Sequence, residues 1–116
     1  MRVVGVKMNK LVSTLKINET KINSVQHLLK KNVYTDKATL LYQGQLPVSA
    51  IFIHQGQVSI VKRNKVKKVI GPGYLIVFDE FINKLSLKFD VEVEATTIIS
   101  WLSLDVVQGL ISNQGV

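Results

Sequence analysis

Residues 50–60 read AIFIHQGQVSI, and this stretch decides the fold class. Ile51-Phe52-Ile53 and Val58-Ser59-Ile60 are short runs of mainly branched and aromatic side chains, which favour β-strands. Gln55-Gly56 stands between them, and a glycine supplies the positive φ that a tight turn requires. The stretch therefore predicts two strands joined by a hairpin turn at Gly56.

Further turns and short apolar segments continue this pattern along the chain. Arg63-Asn64-Lys65 predicts a second hairpin turn with Asn64 at positive φ, and Gly71-Pro72-Gly73 predicts a third turn. Many short strands at close spacing are typical of a β-sandwich or a jelly-roll barrel. The predicted strands are residues 38–43, 50–54, 57–62, 66–70, 74–78, 91–95 and 97–104.

Helical spacing of apolar residues occurs near the two ends of the chain. One stripe predicts a first helix, Asn18 offers an N-cap for a second helix, and a third stripe predicts a short helix at residues 104–112. The stripes are Met8, Leu11, Val12 and Leu15; Ile22, Val25, Leu28 and Leu29; and Val107, Leu110 and Ile111. We therefore predict a mainly β fold, either a β-sandwich or a jelly-roll barrel, between a helical N-terminal segment (1–31) and a short C-terminal helix.

Composition narrows the class of protein. A chain of 116 residues fits one domain, 1–116, and 47% apolar residues can build its core. The sequence has no cysteine, which excludes disulfides, thiolate zinc sites, iron–sulfur clusters and a thiol nucleophile. The unbroken apolar runs are too short to cross a bilayer, and Lys7, Asn9 and Lys10 interrupt any signal-peptide core. We expect no membrane insertion and a cytoplasmic location.

The net charge of +7 is divided unevenly along the chain. Residues 1–68 carry 13 Lys and Arg against 2 Asp and Glu, a balance of +11. Residues 69–116 carry 2 against 6, a balance of −4. Such asymmetry raises the question of an anionic partner, nucleic acid included.

The order of the turn and strand motifs resembles that of the cyclic nucleotide-binding domains. Tyr42-Gln43-Gly44 and residues 50–60 are similar to the family's run from its first turn glycine to its "ifxIxxGxVxI" segment. Pro72-Gly73 resembles the next family glycine, and residues 93–97 with 102–104 resemble the strand pair that closes the barrel. The resemblance covers roughly residues 18–112. It implies a regulatory domain with a jelly-roll or double-stranded β-helix barrel at residues 33–104, and we expect the chain to be part of a larger regulatory protein.

The resemblance also locates a candidate ligand site, the family's phosphate cassette. There, a Phe-Gly-Glu sequence opens a short helix and an Arg-Ala pair follows, so that helix amides and the arginine hold the cyclic phosphate while the glutamate accepts a ribose hydroxyl. In this sequence Phe78, Asp79 and Glu80 resemble the opening, with Asp79 in place of the glycine, and Phe89 falls where the arginine belongs. Other registers put Ile76-Val77 or Val77-Phe78 at the Gly-Glu position. Every register lacks the glycine and the arginine.

These departures predict a degenerate pocket. Asp79 would place a carboxylate beside a phosphodiester anion, and its Cβ obstructs the close approach that glycine permits. Lys88 cannot face the pocket together with Phe89, since adjacent strand residues point to opposite faces. Lys84, on the predicted cassette helix, remains a substitute cation. The candidate ligand-binding residues are Phe78, Asp79, Glu80, Lys84 and Phe89.

Residues 62–68 form a second candidate site, because they hold five cations in seven positions: Lys62, Arg63, Lys65, Lys67 and Lys68. This basic hairpin could bind an acidic protein face, an acidic lipid or nucleic acid. Alternatively, it is a solvated tip whose lysines prevent edge-to-edge strand pairing. No aromatic residue interrupts the cations, which gives base stacking no support.

Three further patterns have simpler interpretations. Asp90, Glu92 and Glu94 alternate with Val91, Val93 and Ala95, as in a half-exposed strand, although a partner surface is the alternative. The histidines, His27 and His54, are isolated, which does not suit a metal triad. Trp101 is either a core residue or an interface anchor. No nucleophile elbow or paired-carboxylate motif occurs, and we expect no enzyme activity, no metal and no cofactor.

The patterns together favour a non-catalytic regulatory or protein-interaction module that has lost cAMP and cGMP binding. Its expected partner is another protein or a neighbouring output domain. One alternative is a sensor that binds a cyclic nucleotide or another small molecule through Glu80 and Lys84. A third hypothesis is a nucleic-acid-binding surface on the basic half. The sequence carries no signal for the oligomeric state.

Overall fold

The structure is a computed structural model that describes residues 11–112. Its helices are α1 (Glu19–Ser24), α2 (Phe78–Ile82) and α3 (Leu104–Ser112), with a 3-10 turn at Gln26–Leu28. Its strands are β1 (Thr14–Lys16), β2 (Asn32–Tyr34), β3 (Ala38–Leu41), β4 (Ala50–Gln55), β5 (Val58–Lys62), β6 (Lys65–Ile70), β7 (Tyr74–Ile76), β8 (Asp90–Val93) and β9 (Thr97–Leu102).

The strands form two antiparallel sheets, which confirms the predicted mainly β jelly-roll. One sheet has the order β1-β7-β4-β9-β2, and the other has the order β3-β8-β5-β6. The chain changes sheet six times: between β2 and β3, β3 and β4, β4 and β5, β6 and β7, β7 and β8, and β8 and β9.

The hairpin predicted at Gly56 is wrong, although the turn itself is present. Gly56 has φ +86°, but β4 pairs with β7 and β9, whereas β5 pairs with β6 and β8. The turn thus joins two sheets instead of two paired strands. The second predicted hairpin is confirmed, because β5 and β6 pair through Lys62 and Lys65. Arg63 and Asn64 in its two-residue loop both have positive φ, as a primed turn requires.

The N-terminal segment is less helical than predicted. The stripe that ends at Leu15 predicts a helix, but residues 14–16 form strand β1, which pairs with β7; Met8 lies outside the described residues. Pairing with β7 gives these backbone groups hydrogen bonds, so the local helical spacing is overridden. Asn18 is the predicted N-cap, since its Oδ1 accepts a hydrogen bond from Lys21 N at 2.8 Å. That helix ends at Ser24 instead of residue 31.

Two buried clusters hold the fold together. The barrel interior is filled by aliphatic side chains that are at most 4% exposed: Val12, Leu41, Ile51, Ile53, Val58, Ile60, Ile70, Ile76, Val77, Leu87, Val91, Val93 and Ile99. A second cluster joins the helices to the outer face of the five-stranded sheet and contains Ile17, Ile22, Ala50, Phe52, Leu75, Leu102, Val107 and Leu110. The predicted C-terminal helix is confirmed, and Val107 and Leu110 anchor it.

Gly56 has a steric as well as a conformational requirement. A Cβ at this position would clash with Thr97 Oγ1, and it would lie 2.7 Å from Thr97 Cα and 2.8 Å from the Thr96 carbonyl oxygen. We expect Gly56→Ala to lower the free energy of unfolding by about 3 kcal/mol or more, measured by urea denaturation. Gly44→Ala is the matched control, since Gly44 also has positive φ (+90°) but open space around it. Its cost should be only about 1–2 kcal/mol. Equal losses in the two variants would contradict the close approach at Thr97.

Candidate ligand site at the second helix

Helix α2 follows a residue in an unusual backbone conformation. Val77 has φ +63° and ψ +17°, the left-handed region that a β-branched residue rarely adopts. Its side chain is fully buried in the barrel interior, and its amide donates to the Ser13 carbonyl oxygen at 3.0 Å. Burial and this hydrogen bond therefore hold Val77 in a conformation that glycine would adopt without strain.

Ser13 binds the start of α2 through both its backbone and its side chain. Besides the bond from Val77, its Oγ accepts from Asp79 N at 3.0 Å and donates to Glu80 Oε1 at 2.6 Å. Its amide donates to Glu80 Oε2 at 3.1 Å. Ser13 is 2% exposed, so its own atoms in these four hydrogen bonds are buried, whereas Glu80 is half-buried and Asp79 is exposed. We call this group of bonds between Ser13 and residues 77, 79 and 80 the Ser13 clasp.

The carboxylates of the predicted cassette have partners within the chain. Both oxygens of half-buried Glu80 accept hydrogen bonds from Ser13, whereas Asp79 is exposed and accepts from Asn83 Nδ2 at 2.6 Å. Asp79 Oδ1 is thus paired with the side chain of the residue that follows α2. The clasp therefore uses the Glu80 carboxylate, which the sequence resemblance assigned to a ligand.

The remaining cassette candidates do not converge on one pocket. Phe78 packs against the second, helical cluster, while Phe89 packs against the barrel interior. The Lys62 ammonium lies 5.2 Å from the Phe89 ring centroid, a cation–π distance. Lys84 is exposed and follows α2 instead of lying on it, with φ +55°. The prediction that placed Lys84 on the helix is therefore wrong, because α2 ends at Ile82.

A small cavity of about 110 Å³ lies beside the clasp. Leu11, Glu80 and residues 85–88 line it. Drug-sized ligands occupy pockets of roughly 300–1,000 Å³. The neighbouring barrel core is packed with branched aliphatic residues, so the cavity does not extend into it. At this volume the cavity is too small for a nucleotide without rearrangement.

A larger cavity of about 460 Å³ lies between α1 and the five-stranded sheet. Its lining includes Asn18, Gln26, Phe52 and His54, and none of its lining residues belongs to α2. His54 Nε2 lies 2.7 Å from Ser100 Oγ, which donates its own hydrogen to the Lys30 carbonyl at 2.7 Å. His54 therefore donates from Nε2, and Nδ1 is the acceptor nitrogen of the neutral ring. Burial, followed by the charge of Lys31, lowers the pKa of His54.

The basic hairpin (residues 62–68) stands apart from the clasp. A surface cavity of about 320 Å³ is lined by Lys62, Arg63, Lys65 and Lys67. Strand β6 pairs with β5 alone among the described strands, so it is an edge of its sheet. Five of its six residues are exposed.

The acidic strand follows the predicted alternation as far as residue 93. Val91 and Val93 are fully buried, and Glu92 lies on the outer face, where it forms an ion pair with Lys37 at 3.4 Å. Glu94 accepts a hydrogen bond from Ser59. Ala95 was expected among the buried residues, but it is exposed because β8 ends at Val93.

Sequence reasoning missed the residues that organise these sites. Ser13 lies in a segment predicted to be helical, and Ser100 lies within a strand; a single serine gives no motif signal in either place. Trp101 is partly buried against the barrel interior. Within residues 11–112, no group of three or more His, Asp or Glu is arranged to hold a metal ion.

Comparison with solved structures identifies the fold. No family model and no curated protein matches the sequence. The Thermus thermophilus catabolite activator protein is similar at 15% identity and TM-score 0.65, over 82% of this chain and 47% of that chain. The regulatory domain of Toxoplasma gondii protein kinase A, solved with cAMP, is 16% identical with TM-score 0.64, over 81% and 38%.

A third similar structure is the regulatory subunit of a cAMP-independent protein kinase A from Trypanosoma cruzi, bound to guanosine. It is 18% identical, with TM-score 0.64, over 84% of this chain and 36% of that chain. This chain thus spans less than half of each of the three. It has the fold of cyclic nucleotide-binding domains, as the sequence motifs predicted. In the described part of the chain, no helix has the length and apolar character needed to cross a membrane.

The Ser13 clasp should contribute to stability. Ser13→Ala leaves the Asp79 amide without its acceptor and removes one hydrogen bond from Glu80, so the free energy of unfolding should fall by about 1–3 kcal/mol. Ser24→Ala is the matched control: this serine is exposed and its hydroxyl donates only to Lys21 O, so the loss should stay within about 0.5 kcal/mol. Combining Ser13→Ala with Glu80→Gln should cost less than the sum of the two single losses. Additive losses in urea denaturation would argue against the clasp.

His54 should make stability depend on pH. Because its pKa is lowered in the fold, the unfolded chain binds the proton more tightly. The neutral ring therefore stabilises the fold fully above the unfolded value of about 6.5, and this contribution is lost as the pH falls through the folded pKa. An NMR titration should place the His54 midpoint below 6.5, and Lys31→Gln should raise it. Lys30→Gln, the same change one residue earlier, is the control and should have a smaller effect. A midpoint above 6.5 would contradict the burial of the ring.

Proposed function

We propose that this domain is a non-catalytic regulatory or protein-interaction module that has the fold of cyclic nucleotide-binding domains and does not bind cAMP or cGMP. The Ser13 clasp carries the proposal. In the register that places Asp79 at the cassette glycine, Glu80 is the carboxylate that a ribose hydroxyl would need, and both of its oxygens already accept hydrogen bonds from Ser13. A nucleotide would have to displace a buried residue and leave its polar atoms unpaired, which is costly.

The backbone at Val77 supports the same conclusion. The left-handed φ of Val77 favours the register in which it stands at the cassette glycine. Phe78 then stands where the family has its glutamate, and its side chain packs against the helical cluster. An apolar ring cannot accept a ribose hydrogen bond, so this register also lacks the ligand-binding carboxylate.

The lack of a phosphate-binding arginine also supports the proposal that the domain binds no cyclic nucleotide. In the register that places Asp79 and Glu80 at the cassette Gly-Glu, Phe89 stands where the family arginine would hold the phosphate, and its ring packs against the barrel interior. In the Val77 register that position is Leu87, which is buried in the same cluster. Lys62 contacts the ring face, but a lysine offers a point charge without the bidentate geometry of arginine. An anionic ligand would therefore lack its principal partner.

The expected partner is a protein or a neighbouring output domain. In the Toxoplasma and Trypanosoma structures, the matching part is a portion of a kinase regulatory subunit or domain, and the Trypanosoma protein is described as cAMP-independent. The same fold therefore occurs in a regulatory protein without cAMP dependence. Here the basic hairpin is the exposed surface whose charge is most concentrated.

The alternative is a small-molecule sensor, and the cavity of about 460 Å³ favours it, because that volume falls in the range of ligand pockets. This cavity lies at α1, so a ligand there would not use the cassette. A sensor that binds through Glu80 and Lys84 would need the clasp to open, and Lys84 lies outside α2.

Calorimetric titration with cAMP, cGMP and guanosine tests the proposal. We expect no binding by either cyclic nucleotide up to about 1 mM, and no amide shifts at residues 77–80 in NMR spectra. Ser13→Ala is the matched variant, since it frees one oxygen of Glu80 without changing the charge of the site. Micromolar binding of cAMP or cGMP by the unmodified chain that disappears in Glu80→Gln would overturn the proposal and establish the cassette sensor. Binding that survives Glu80→Gln would also overturn it and would direct attention to the cavity at α1.

A further inference from the structure

Strand β6 ends the four-stranded sheet and presents two chemically different faces. Val66 lies opposite Val61, and Val69 lies opposite Ser59, which places both valines on the outer face of the sheet. They are 53% and 48% exposed, although they lie in a strand. The outer face of β6 is therefore apolar and accessible.

The opposite face of β6 is basic. Lys65 lies opposite Lys62, and Lys68 lies opposite Ile60, so these two lysines share the face that leads to the buried Ile70. The register shifts between Ile60 and Val61, which leaves Lys67 as the extra residue of a bulge. Lys65 and Lys67, with Lys62 and Arg63, line the cavity of about 320 Å³. The basic face is thus concave at one end.

Beyond both faces lies the hydrogen-bonding edge of the strand. In an antiparallel strand, alternate residues direct their N–H and C=O groups to each side, and only one side of β6 is paired with β5. A second copy of this edge is a poor partner, because antiparallel pairing of two β6 strands would bring lysines against lysines. The lysines thus block self-association while leaving the edge open to a segment of opposite charge.

We propose that β6 binds an extended acidic protein segment by strand addition, in which alternate aliphatic residues pack on Val66 and Val69 and alternate carboxylates pair with Lys65 and Lys68. The mode follows the general physics of added strands: main-chain hydrogen bonds give affinity and alternate side chains give specificity. This inference rests on the proposed interaction function and names the chemistry of its partner. Nucleic acid is disfavoured, because it lacks both the strand backbone and the aliphatic side chains that the outer face requires.

The test uses a fluorescent seven-residue peptide of alternating glutamate and valine, blocked at both ends, in anisotropy titrations with the full chain. We expect saturable binding below about 1 mM that weakens with salt, and slower hydrogen exchange at alternate amides of residues 65–69. Lys65→Glu with Lys68→Glu should weaken binding by about tenfold or more. Lys30→Glu with Lys31→Glu is the matched control, with the same charge change at two exposed lysines outside the hairpin, and should weaken it far less.

Two control ligands separate strand addition from charge attraction. The same peptide with N-methylated alternate amides should lose binding, because it keeps every charge and loses the edge hydrogen bonds. A peptide with its glutamates grouped at one end should bind more weakly than the alternating one. Equal binding of all three peptides, equal loss in both double variants, or no binding at all would overturn the proposal. Tighter binding of a single-stranded DNA of matched charge, with the same loss on the hairpin variants, would also overturn it in favour of nucleic acid. The cyclic nucleotide titration is independent of these outcomes, since it probes α2.

Discussion

Strand β4 is buried on both of its faces, and the rest of the domain is organised around that constraint. Ile51 and Ile53 point into the barrel, while Ala50 and Phe52 point toward the helices, and all four are at most 4% exposed. A strand that is buried on both faces must have its backbone hydrogen-bonded along both edges, here to β7 and β9. The position of β4 therefore determines where the helices pack, where β9 runs and where the chain must turn at Gly56.

The Ser13 clasp connects the N-terminal segment to α2 across 66 or 67 positions of sequence. The sequence resemblance places the family's cassette in this region, and here Ser13 supplies a hydroxyl and an amide to Glu80. A buried carboxylate is stable only if its oxygens are hydrogen-bonded. The clasp therefore accounts for the half-buried Glu80 without a ligand, and it ties the position of α2 to the segment that precedes β1.

The positions of the strands show where the unevenly distributed charges of the chain lie on the domain. The cations of residues 62–68 are concentrated at one edge of the four-stranded sheet, whereas Asp79 and Glu80 lie at α2, where a phosphate pocket should be positive. Glu92 and Glu94 are already paired with Lys37 and Ser59. The asymmetry thus supports the two proposals that the barrel holds no anionic ligand and that a partner binds at the basic edge, where the fields of several cations add.

The sequence by itself determined the features that depend on local chemistry. Glycine at a tight turn, an Asn N-cap and helical spacing at residues 107–111 act within a few residues, so the turn at Gly56, the start of α1 and helix α3 were predictable. The pattern of short apolar strands and turns restricted the fold to a β-sandwich or a jelly-roll barrel, and the resemblance of the motifs to cyclic nucleotide-binding domains indicated the jelly-roll. The sequence alone likewise showed that no register of the resemblance supplies the cassette glycine and arginine.

Only the tertiary structure decided the features that depend on distant partners. Residues 14–16 have helical spacing but form a strand, because β7 offers them hydrogen bonds that an isolated short helix does not retain in water. The strands on either side of Gly56 belong to different sheets, since β4 pairs with β9 and β5 pairs with β8 instead of with each other. Ser13 and Glu80 are 67 positions apart in the sequence, and only the folded barrel brings them together. Turns and helix caps depend on a few neighbouring residues, so the local sequence determines them. Strand partners and buried polar contacts depend on which backbone and side-chain groups the folded chain brings together.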